Sequence, residues 1–236
     1  MTGIFVFPQY GNVNGRRTNA NFEAQLVGNN LMRSRDLLQD VLKQNRNIPI
    51  ALSDIKGHPY TQEMFVNGNL FYKDSLKLGQ FLMRYNAFAD EMEVSNHSSI
   101  NVIGKIDDLS IDLVNEKYVV LNYVDDHSVI KKGFFIEKSA GTKCSLFLKK
   151  FKSIKLGKEA KTSFHKSTKP VFIEHKAYYL KFGQNLPVEV KLKKNKIVKI
   201  FPEKANIIKK YIIGNDLDLD SESDLILLIN FYNTLE

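Results

Sequence analysis

The chain has 236 residues, 43% apolar and 25% charged, and 34 Lys and Arg against 26 Asp and Glu give a net charge of +8. That composition suits a globular protein with a full core, built as one large domain or as one domain with an appendage. Cys144 is the only cysteine, which excludes an intramolecular disulfide and a zinc site built on several thiolates.

In chain order, residues 1–9 read as a signal-peptide remnant. The short apolar stretch "GIFVFPQ" has no basic residue before it and gives way at once to the polar "YGNVNGRRTNANFE". A short buried strand is the alternative. Residues 10–56 read as an N-terminal loop and helix. The helix is expected over 19–44, where Phe22, Leu26, Leu31, Leu38 and Leu42 recur at three- and four-residue intervals, and Pro49 lies beyond its end. Beyond the N-terminus no run of about 18 apolar residues occurs, so no membrane-spanning helix is expected.

Residues 57–236 read as a β-rich domain with C-terminal helices. "EMFVNGNLFY" predicts strand, Asn67-Gly68 turn, strand. Further short alternating segments follow, among them "KYVVLNYV", "GFFIEK", "CSLFLKKF" and "PVFIEHKAYYLKFG", separated by turn compositions such as "VDDHS" and "GQNLP". Leu78, Phe81, Met83, Val119, Leu121, Phe134, Ile136, Leu146, Leu148, Phe172, Tyr179 and Val190 are the expected core positions. "VEVKLKKNKIVKI" alternates lysine with apolar residues and reads as one more strand. Two helices are expected after it, one from Pro202 and one opened by "DLDLDSESD". The fold class is therefore α+β. It is mainly an antiparallel sheet, barrel-like or sandwich, with one N-terminal and two C-terminal helices.

"GHPY" at 57–60, "RYN" and "DEMEV" within "LMRYNAFADEMEV", then "KKGFFIEKSAG", "KAYYLKFG" and "PEKANIIKKYI" follow in an order that resembles a family of uncharacterised exported proteins of flavobacteria and related Bacteroidetes. The resemblance spans roughly residues 57–235. It implies an exported, periplasmic or outer-membrane-associated location and supplies no site residues.

Charge is distributed unevenly. Residues 131–211 hold 22 lysines, no arginine and five acidic residues, which leaves −9 for the remainder. Such a block suits polyanions in general, and Lys149, Lys150, Lys152, Lys155, Lys191, Lys193 and Lys194 are the candidate contacts. The absence of arginine there, and of any RNP-type motif, argues against nucleic acid. Asp90, Glu91 and Glu93, with His127 beside two aspartates, are the candidate acid–base residues. Glu91 and Glu93 are also expected to stand in water opposite lysines. No Walker, GxGxxG, GxSxG or HExxH pattern occurs, so no cofactor or metal is expected. Together these features point to an exported, non-enzymatic binding or accessory protein whose partner is an envelope polymer or another envelope protein. An enzyme with a scattered Asp/Glu/His site and a lysine-rich nucleic-acid binder are the alternatives.

Overall fold

The period-two segments become the strands of one antiparallel sheet in the computed structural model, which describes residues 27–28, 52–96, 99–157 and 168–236. The expected signal remnant lies outside the described residues. So does the expected helix over 19–44, except that Val27 and Gly28 are extended and pair with Ile103 and Val102. The strands are β1 (Val27–Gly28), β2 (Val66–Tyr72), β3 (Leu76–Asn86), β4 (Glu91–Asn96), β5 (Ser99–Ile103), β6 (Leu109–Leu113), β7 (Glu116–Val124), β8 (Ile130–Ser139), β9 (Cys144–Lys155), β10 (Val171–Phe182) and β11 (Val188–Val190). Their spatial order is β1-β5-β4-β3-β2-β6-β7-β8-β9-β10-β11. The chain lays down β2 to β5 in one direction, returns to place β6 against β2, and then runs to β11 in the other. All eleven strands belong to one hydrogen-bonded sheet, which is not closed.

Two local expectations are corrected. Asn67-Gly68 is not a turn, because β2 runs straight through it. A Cβ on Gly68 would sit 2.6 Å from Met83 Cε and 2.9 Å from Leu113 Cδ1, so glycine here lets two neighbouring strands close over β2. The reversal falls instead at Lys73 and Asp74, whose φ angles of 50° and 55° are both left-handed, as tight hairpin turns require. "KNKIV" is helical rather than extended. β11 stops at Val190, and Ile197 and Phe201, four apart, are both buried.

Three helices follow β11 where two were expected: α1 (Lys194–Val198), α2 (Ala205–Gly214) and α3 (Glu222–Thr234). They cover one end of one sheet face, burying Ile208, Ile212, Leu225, Leu228 and Ile229 against Cys144, Leu146 and Leu180. Asn233 fastens α3 to the start of β9. Its Oδ1 accepts from the backbone N–H of Cys144 at 3.0 Å, and its Nδ2 donates to the Cys144 carbonyl at 2.8 Å. Among the described residues no helix is long and apolar enough to cross a membrane.

Farther along the same face Met83, Tyr85, Met92, Ile111, Tyr118, Phe134, Ile136 and Leu148 form the main core. The opposite face buries Phe135, Phe147 and Tyr179, flanked by Val119, Leu121 and Tyr123. Of the expected core positions, Met83, Phe134, Ile136, Leu146, Leu148, Phe172, Tyr179 and Val190 are buried, and Leu78, Phe81, Val119 and Leu121 are half-buried. Alternation placed them, because successive side chains of a strand point to opposite faces.

Candidate functional site

β8 and β9 pair only at Ile136–Leu148, Glu137–Phe147 and Ser139–Leu146. Extending that register would set Phe134 against Lys150 and Lys132 against Lys152, but there the strands part. The turn between β3 and β4 fills the opening. The N–H of Lys152 donates to the Ala87 carbonyl at 3.0 Å, and the N–H of Phe134 donates to Asp90 Oδ1 at 3.1 Å. The Phe134 carbonyl accepts from Lys149 Nζ at 3.3 Å. A turn and two side chains thus take backbone groups that β8 and β9 would otherwise give each other.

Asp90 is the hub. Its φ of 55° is left-handed, a conformation aspartate tolerates better than most residues. Oδ1 accepts from Tyr85 Oη at 2.7 Å as well as from Phe134, and Oδ2 meets Lys105 Nζ at 2.9 Å and Lys149 Nζ at 3.1 Å. Burial pushes this carboxyl up, but the two ammonium groups and the hydrogen bonds from Lys105 and Tyr85 outweigh burial and hold it below the ordinary carboxylate range. Burial holds the Lys149 ammonium below the usual lysine range, only partly offset by Asp90. That ammonium also lies 4.9 Å from the ring centre of Tyr123 and 4.6 Å from that of Phe135. Gly133 makes room for it, since a Cβ there would stand 2.6 Å from Lys149 Nζ and 2.9 Å from Tyr123 Cε1.

A second set adjoins the first through β3 and β4. Arg84 Nε pairs with Glu93 Oε2 at 2.8 Å, and its guanidinium lies 3.5 Å from the ring centre of Tyr60 and 4.2 Å from that of Phe65. Glu93 Oε1 accepts from Asn86 Nδ2 at 3.0 Å. "GHPY", "RYN" and "DEMEV" therefore meet in one corner. This corrects the expectation that Glu91 and Glu93 stand in water opposite lysines, because both are buried and Glu93 pairs with an arginine. His127 is not part of the corner. It lies exposed in the β7–β8 turn, where its backbone N–H donates to Asp125 Oδ1 at 2.9 Å. Among the described residues no group of three or more His, Cys, Asp or Glu is arranged to hold a metal ion.

The seven lysines of the polyanion expectation are not brought together. Lys149 is 7% exposed, so it offers no ammonium to a surface ligand. Lys150 points to the other face and sets its ammonium 2.7 and 2.8 Å from the two Glu116 oxygens. Lys152 is half-buried and donates to the His58 carbonyl at 2.9 Å. Lys155 and Lys193 are exposed, as is Lys191, which pairs with Glu189. The side chain of Lys194 lies outside the described residues. Alternation alone would leave the lysines of these strands in water, whereas carboxylates reached from distant segments let Lys149 and Lys150 fold inward.

Sequence reasoning missed Lys105, Glu116, Lys138 and Glu222. Lys138 joins Glu222 on α3 at 3.0 Å and Glu116 at 3.6 Å, and Tyr178 Oη donates to Glu222 at 2.9 Å. Burial, with Glu222 beside it, pushes the Tyr178 phenol up to about 12. Nothing local marks these residues as partners, because each pair spans separate elements. No family model, no curated protein and no solved structure matches this chain.

Proposed function

We propose that the chain is an exported, envelope-associated accessory protein that binds a partner rather than transforming a substrate. One observation carries this reading: the carboxylate best placed for chemistry is used up by the fold. A carboxylate has about four lone-pair sites. Asp90 receives four donors, from Tyr85, Phe134, Lys105 and Lys149, on four different segments. A general base needs a free site for the substrate proton. Glu93 is likewise engaged, by Arg84 and Asn86. The resemblance of residues 57–235 to exported proteins supports the location.

The test is fractionation of cells carrying a C-terminally tagged full-length gene, with mass spectrometry of the tagged product. The expected result is a protein in the envelope or periplasmic fraction whose N-terminus has been processed. A product that stays in the cytoplasm with Met1 intact overturns the reading.

A further inference from the structure

We propose that the open face of the arm formed by the distal halves of β9 and β10 binds an acidic polysaccharide. The proposal rests on the binding reading above and supplies its ligand class. The arm begins where β9 leaves β8. One of its faces is closed, because Phe172 and Ile154 pack against Ile55 and Phe88. The other face carries Phe151, Ser153 and Lys155 from β9, and Val171, Ile173 and His175 from β10, as the register dictates.

A third segment completes that face. Lys56 pairs with Val171 through two backbone hydrogen bonds, from its own N–H to Pro170 and from the Phe172 N–H to its carbonyl. Lys155 pairs with the same Val171 from the opposite side. Paired residues share a face, so two exposed lysines flank one valine in a single row. Two rows along, Phe151 and His175 stack with ring centres 5.0 Å apart at 21°. Ser153 Oγ lies 2.8 Å from His175 Nε2, and Phe151 is 37% exposed. From Phe151 to Lys155 the strand covers roughly 13 Å.

The chemistry of this strip selects its ligand. A sugar ring packs its C–H groups on the ring face that Phe151 leaves outside its stack with His175, and meets the serine hydroxyl and imidazole with its own hydroxyls. Carboxylate or sulfate groups farther along the polymer meet the paired ammonium groups. Glu174, the acidic residue of the arm, points to the opposite face, so no carboxylate of these two strand segments opposes an anion there. The strip carries no arginine to grip phosphate in a bidentate pair, which argues against a nucleic acid.

The experiment titrates the full chain with heparin, a neutral glucan, single-stranded DNA and anionic phospholipid vesicles at low and high salt. Heparin should bind at low salt and weaken by about tenfold or more at high salt. The pair Lys56→Gln with Lys155→Gln should lose about tenfold in affinity. Lys191→Gln with Lys193→Gln, exposed but elsewhere, should leave affinity unchanged. Phe151→Ala should weaken binding with no change in salt dependence. Equal losses from both lysine pairs would mean diffuse charge attraction and overturn the proposal. Tighter binding of DNA or vesicles than of heparin, or no binding of heparin at all, overturns it as well. Fractionation separates the two failures: a protein found in the envelope that ignores heparin keeps its accessory reading and loses this face.

Discussion

The ammonium of Lys149 stands 3.1 Å from Oδ2 of Asp90 and 3.3 Å from the carbonyl of Phe134. One lysine thereby neutralises a half-buried carboxylate and satisfies a strand carbonyl that β9 has left behind. Removing Asp90 strands that buried charge, so Asp90→Ala is expected to cost about 3–5 kcal/mol. Lys149→Met in the same background should recover part of the loss, because an apolar chain of similar length replaces an unpaired cation. Urea midpoints of the two single variants and the double variant measure the coupling. Simple additivity would show that the two groups do not act as a pair.

Acid should loosen the same corner. Asp90 is held below its unfolded value of 3.8, so its contribution is complete above that value and is lost as pH falls through the lower folded value. Asp125, brought down to about 2 by Lys131 and the N–H groups of Val129 and His127, adds to the same window. Asp90→Asn should therefore flatten part of the acid limb of the stability curve and leave the rest. A wild-type curve that stays level from pH 5 to pH 2 would contradict the assignment.

Cys144 is fully buried, and burial pushes its thiol up to about 12. Thiolate is the reactive form, so a thiol reagent at neutral pH should label the native protein only as fast as the protein unfolds. Labelling rates with and without denaturant check this. Rapid modification of native protein would place Cys144 at an accessible surface.

Val114 and Asn115 make the turn between β6 and β7 with φ of 51° and 60°. A β-branched residue is strained in that region, and Val114 is largely exposed, so it gains little packing in return. Val114→Asn is expected to stabilise the protein by about 0.5–1 kcal/mol. Thermal or urea unfolding would show it, and a loss of stability would mean that the valine makes a contact that matters.

The strands and their inward faces were legible in the chain because side-chain alternation is a local property of extended backbone. Phe134, Ile136 and Leu148 needed no knowledge of their neighbours to be placed inside. The two helices after Pro202 were legible for the same reason, since three- and four-residue spacing is local as well. Asn67-Gly68 misled because its turn chemistry is equally local, whereas Gly68 answers to Met83 and Leu113 on other strands. The lysines of β9 read alike, and only the tertiary structure separated them. Lys155 faces water, Lys150 meets Glu116, and Lys149 turns to Asp90 where β8 and β9 part. Periodicity determines which way a side chain points relative to its own strand. Whether a charge that points inward is solvated, paired or excluded depends on which distant carboxylate the fold delivers to it, because the cost of burying an ion is decided by its partner.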